Sequence, residues 1–229
     1  MAMILFMMIV VDVSSAFAGF TWTAQTAAGS SDWIAIASSS DGSKLAAAVD
    51  MGYIYTSTNS GATWTARTGS GSHRWNDITS SSDGTKLAAV EWSTPQYIYT
   101  STDSGATWTA RTGAGSRYWY AIASSSDGTK LAAGANADYI YTSTDSGATW
   151  TARTGSGSRN WYVITSSSDG TKLAAAVYGG YIYTSTDSGA TWTAETGAGS
   201  HTWVDIASSS DGTKLAAVAY GGYIWTGVK

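Results

Sequence analysis

The octet Ser101-Thr102-Asp103-Ser104-Gly105-Ala106-Thr107-Trp108 returns unchanged at 143–150 and 185–192, and at 57–64 with Asn59 in place of the aspartate. Its residue types dictate a tight turn between two strands. The carboxylate accepts hydrogen bonds from turn N–H groups, and the glycine takes a positive φ that other L-residues avoid. Thr and Trp then resume the extended chain, and the indole is a large apolar body for packing on a neighbouring sheet.

Working outward, the octet Trp recurs at Trp22, Trp64, Trp108, Trp150 and Trp192, and a second series runs Trp33, Trp75, Trp119, Trp161 and Trp203. Both series step by 42, 44, 42 and 42 residues. Four short strands fit into each unit. In one of them, strand a covers 161–165 and a Ser-Ser-Ser-Asp-Gly hairpin leads to strand b over 172–177. Strand c covers 181–185, and after the octet strand d covers 191–196. A period of 40–45 residues with four strands per unit is that of a β-propeller.

The pattern S-x-D-x-G-x-T-W resembles the Asp box of sialidase-like repeats, which lies between the third and fourth strands of a propeller blade. That resemblance covers nearly all of the chain after residue 18. It implies a fold rather than an activity, because Asp boxes occur in sialidases, other glycosidases, assembly factors and sorting receptors. On it, Asn59, Asp103, Asp145 and Asp187 are structural.

The last unit stops after Tyr223-Ile224-Trp225-Thr226, the counterpart of strand c, while Gly19-Phe20-Thr21-Trp22 matches the tail of an octet. The expected fold is therefore all-β: a five-bladed propeller of four-stranded antiparallel blades over 19–229, closed by an N-terminal outer strand in the last blade.

Composition narrows the function. The 229 residues carry a net charge of −4 with only 12% charged residues, which gives no footprint for nucleic acid. The absence of cysteine excludes disulfides and thiolate metal sites. Residues 2–11 form an apolar run about half the length of a membrane span. Ala16-Phe17-Ala18 before Gly19 matches a signal-peptidase site, although no basic residue precedes the run. Residues 1–18 thus read as a leader, either cleaved from a secreted or cell-surface protein or retained for self-association.

Antiparallel order places the a–b hairpins and octets at one end of the strands, and the d–a links and b–c hairpins at the other. Differences between units gather at the second end. The d–a links there carry Ser31-Asp32, His73-Arg74, Arg117-Tyr118, Arg159-Asn160 and His201-Thr202. One b–c position holds Asp50, Trp92, Asn136, Tyr178 and Tyr220 in turn. Flat aromatic side chains stack on sugar rings while His, Arg and Asn donate to hydroxyls, so this face is expected to bind a glycan or another cell-surface ligand. Variable loops also simply tolerate change, and a Tyr before Gly-Gly suits a hairpin.

Catalytic parts are sparse. Arg74, Arg117 and Arg159 superficially resemble a sialidase arginine triad, yet they sit at equivalent repeat positions. A glycosidase needs two carboxylates at a set separation, and Asp77, Asp205 and Glu91 are the acids nearest to such a role. With only His73 and His201 in the chain, neither a histidine metal site nor a Ser-His-Asp triad assembles. The expectation is a non-enzymatic, cofactor-free binding module. The alternatives are a self-assembling filament or layer subunit and, behind it, an Asp-box glycosidase.

Overall fold

The computed structural model describes residues 21–93 and 96–229; the leader expected over 1–18 lies outside them. The fold is all-β, built from repeated antiparallel sheets. The first sheet comprises β1 (Trp33–Ser38), β2 (Leu45–Val49), β3 (Ile54–Ser57) and β4 (Thr65–Arg67) in sequential order. The second comprises β5 (Trp75–Ser80), β6 (Leu87–Glu91), β7 (Ile98–Ser101) and β8 (Thr109–Arg111). The third comprises β9 (Trp119–Ser124), β10 (Leu131–Ala135), β11 (Ile140–Ser143) and β12 (Thr151–Arg153).

The fourth unit, β13 (Trp161–Ser166), β14 (Leu173–Gly180), β15 (Ile182–Ser185) and β16 (Thr193–Glu195), repeats this order. It is joined edge to edge to β17 (His201–Ser208), β18 (Lys214–Ala219) and β19 (Ile224–Val228) through Tyr178 opposite Thr202 and Gly180 opposite His201. Strand d is shorter than its sequence suggests, because its last residues tighten into a 3₁₀ turn such as Thr196–Ala198.

The sequence explains the stacking. Strands b read Leu-Ala-Ala-Ala-Val or close variants, and small residues suit a strand covered on both faces. Onto these alanines the next unit lays its strand-a Trp and the Ile three residues on. Ala46, Ala48 and Ile54 thus meet Trp75 and Ile78, while Ala121, Ala132 and Ile140 meet Trp161 and Ile164. Trp75, Trp119, Trp161 and Trp203 are 0% exposed. Each indole removes on the order of 200 Å² from water, roughly 5 kcal/mol as an upper bound. Trp33 has no sheet before it among the described residues and is 37% exposed.

Turn chemistry is uniform. In the octet, Asp103 accepts from the Thr107 N–H at 2.8 Å and from the hydroxyls of Thr107 and Ser101. Ser104 and Gly105 both have positive φ, 55° and 82°, so the serine shares the left-handed strain assigned to the glycine alone. Gly105 is also required sterically, since a Cβ there would lie 2.8 Å from Thr56 of the preceding sheet. The a–b hairpin is tied to the octet by Ser104 N–H donating to the Thr85 carbonyl.

Among the described residues the expected N-terminal closure is not seen. Thr21 and Trp22 form no strand, Trp22 is 92% exposed, and Gly19 and Phe20 lie outside the described residues. Among the described residues no hydrogen bond links the first sheet to β17, β18 or β19. The outer faces of both ends are open: Ile36 is 66% and Ile224 is 75% exposed. The edge of β19 is thus unpaired with Thr21 and Trp22, the described part of the segment expected there.

Candidate binding face

The d–a links and b–c hairpins do share one end of the sheets. Within a unit, the N–H groups of Trp92, Asn136, Tyr178 and Tyr220 donate to the carbonyls of Arg74, Tyr118, Asn160 and Thr202. Between units, the N–H groups of His73, Arg117 and Arg159 donate to Gly52, Gln96 and Asp138 of the preceding unit. The variable residues therefore lie on a continuous backbone lattice spanning all five repeats.

On that lattice the predicted residues divide into two sets. In the last four units the residue two before the strand-a Trp falls into a packed slot above a strand-c aromatic. His73 lies between Trp75 and Tyr99, with ring centroids at 4.9 and 4.8 Å, and its Nδ1 is 2.9 Å from the buried Glu91 carboxylate. His201 lies likewise between Trp203 and Trp225. The Arg117 guanidinium covers Tyr141 at 4.3 Å and pairs with Asp138 at 2.7 Å. Arg159 covers Tyr183 at 4.7 Å and donates to the Ser156 carbonyl. These four side chains hold aromatics in place. Asn160 is engaged too, accepting from the Ala137 N–H at 3.0 Å.

The second set faces outward. Trp92, Tyr118, Tyr178 and Tyr220 are 37, 42, 54 and 81% exposed. Arg74 joins the first two units, with Nε 3.2 Å from Asp50 and its guanidinium 4.9 Å above the Trp92 ring. That stack fixes one face of the indole and leaves the other outward. Asn136 is half-buried beside Ala137, whose φ of 50° is left-handed.

Two contributors escaped the sequence reading. Tyr120 and Tyr162 follow the invariant Trp and read there as strand residues, yet their rings lie 5.5 Å apart, and Tyr162 lies 5.5 Å from Tyr178. The result is an aromatic run crossing from the third unit to the hairpin of the fourth. The signal was available, since the same position holds Ile34, Asn76 and Val204 in the other units.

The acids are committed elsewhere. Asp77 accepts from its neighbour's N–H, that of Ile78, and across the seam from Ile122, both at 2.8 Å. Burial pushes its carboxyl up to about 7 against the pull of those donors, and the Asp205 charge adds to the rise. Asp77 lies in the second unit and Asp205 in the fifth, and the Asp205 charge still reaches Asp77. Glu91 faces His73 rather than Asp77. Among the described residues no group of three His, Asp or Glu side chains is arranged to hold a metal ion, and no helix is long and apolar enough to cross a membrane.

No family model matches the chain, and no curated protein matches it. Solved structures do. A GH74 enzyme from Niastella koreensis superposes with a TM-score of 0.67 at 20% identity, over 86% of this chain and 30% of that one. The GH74 xyloglucanase from Xanthomonas campestris gives 0.65 at 17%, over 83% and 36%. YCF48 from Cyanidioschyzon merolae gives 0.62 at 16%, over 86% and 66%. The chain spans about a third of the length of the two GH74 enzymes. At these identities the likeness defines the fold class: a repeat-built, propeller-like β protein.

Proposed function

We propose that the five repeat units are five Asp-box blades, and that the chain is a secreted or cell-surface, non-enzymatic module binding glycans on its d–a/b–c face. The observation that carries this reading is the aromatic run Tyr120–Tyr162–Tyr178, at the same end of the sheets as the exposed Tyr220 and Trp92. Flat rings at roughly one sugar spacing, on a face where the repeats otherwise diverge, suit the apolar faces of a glycan chain. Similar weak sites on successive units gain by avidity.

Asp77 and Glu91, the acids nearest to a catalytic role, are engaged with Ile122 and His73 and not with each other. One similar structure is a xyloglucanase, so soluble xyloglucan is a sensible first probe beside a broad glycan array. Retention of a glycan by the folded protein, weakened by Tyr178→Ala, supports the reading; no retention by any glycan on the array refutes it. A second reading, self-assembly into a filament or layer, is favoured by the open faces of the two end sheets.

A further inference from the structure

The two end sheets carry the two halves of one more seam, and we infer that a second copy of this chain completes it head to tail. The four internal seams define what such a seam contains. At each, one sheet offers alanines and an Ile of strand c, and the next lays a Trp and an Ile on them. The hairpin serines form a chain across them, with Ser40 N–H donating to Ser82, Ser82 to Ser126, Ser126 to Ser168 and Ser168 to Ser210 at 2.7–2.8 Å. Lys86, Lys130 and Lys172 each donate their ammonium group to an aspartate carbonyl of the next unit, those of Asp127, Asp169 and Asp211.

Every term of this set is left in halves at the ends. The last unit presents Ala216, Val218 and Ile224 where the first presents Ala46, Ala48 and Ile54, and here they are exposed or half-exposed. The first unit presents Trp33 and Ile36, exposed where Trp75 and Ile78 are buried. Among the described residues the Ser210 N–H donates to no backbone carbonyl; by the repeat its acceptor is the Ser40 carbonyl, and Lys214 stands at the position of Lys86. Asp205 accepts from Ile206 as Asp77 accepts from Ile78. The Ile36 N–H is then the counterpart of the Ile122 N–H that Asp77 takes across its seam.

Among the described residues the last unit has three strands, and the place of a fourth beside β19 belongs to the same junction. A groove of about 660 Å³ runs along β19, lined by Leu215, Ala217, Trp225, Ile182 and Ala198. In the second unit the leucine matching Leu215 and the octet Trp108 both lie against the Gly105 turn. Residues 21–25 precede β1 as β16 precedes β17, so a copy docking its first sheet on β19 brings Trp22 to this groove. The two surfaces are complementary and do not meet among the described residues. A heterologous pair of that kind joins copies in series, closing a ring only where the rotation permits.

The test uses the full chain, which has no cysteine of its own. Light scattering should give masses that rise with concentration in steps of 23.8 kDa, and Ile36→Asp should hold the protein at one step with the thermal unfolding midpoint of the dilute parent protein. Under oxidation the double variant Ser40→Cys with Ser210→Cys should form interchain ladders. A single 23.8 kDa species at all concentrations, an intrachain cross-link, or no cross-link would each overturn the inference. The glycan reading rests on a different face, so Tyr178→Ala would still report on it whichever result is obtained.

Discussion

The carboxylate of Asp77 in the second sheet accepts a hydrogen bond at 2.8 Å from the backbone N–H of Ile122 in the third. A side chain on an inner strand thereby occupies a main-chain donor of its neighbour, at a buried site where the carboxyl is raised to about 7. Cohesion between repeats rests on such cross-seam contacts together with the buried Trp layer.

For Asp77 the sign follows from linkage. Its folded pKa lies above the unfolded value of roughly 4, so its stabilising contribution is complete below about pH 4 and is lost as pH rises through about 7. Stability should fall over that window by on the order of a few kcal/mol, and Asp77→Asn should flatten the fall. Urea midpoints measured from pH 4 to pH 8 decide it. A wild-type slope retained in the variant would assign the dependence to other groups.

The turn carboxylates behave oppositely. Hydrogen bonds from Ser81 and Thr85 hold Asp83 at about 2, and those from Thr107 and Ser101 do the same for Asp103. Their contribution is full above the unfolded value near 4 and is lost as pH falls toward 2. Acid unfolding followed by Trp fluorescence should therefore be centred between about pH 4 and 2. A midpoint near pH 5 would contradict this assignment.

Asn59 shows which octet substitutions are tolerated. Its Oδ1 accepts from the Thr63 N–H at 2.9 Å and its Nδ2 donates to the Thr63 hydroxyl. Asp103→Asn should therefore cost little, whereas Asp103→Ala strands the turn donors and should cost about 1–3 kcal/mol. Equal losses for the two variants would mean that charge, not hydrogen-bond geometry, stabilises the turn.

The layered indoles predict an end effect. Trp119→Ala, at a fully buried seam, should lose about 3–5 kcal/mol. Trp33→Ala, on the open first sheet, should lose much less in a dilute monomer. Chemical denaturation at low concentration compares them, and similar losses would mean that Trp33 is covered in solution.

Strand order, hairpin chemistry and the end of the sheets where the variable residues meet were legible in the repeat, because each depends on contacts within about 45 residues. What the sequence obscured was the side-chain traffic between units. His73, Arg117, Arg159 and His201 vary in identity and so resemble ligand-binding positions, yet each fills one slot over a strand-c aromatic. Tyr120 and Tyr162 were missed for the converse reason, since a Tyr after an invariant Trp reads as core until neighbouring units bring the two rings together. Complementary ends reveal that a seam exists but not which copy supplies each half.

The most direct measurement is a titration of the folded protein, its Trp92→Ala variant and its Tyr178→Ala variant against soluble xyloglucan and the best glycan from an array, with unfolding midpoints recorded alongside. Binding by the parent protein, weakened about tenfold in each variant, or about 1.4 kcal/mol, with unchanged midpoints, is the predicted result. Affinities identical in all three proteins, or no binding by the parent protein, would contradict a glycan site on this face.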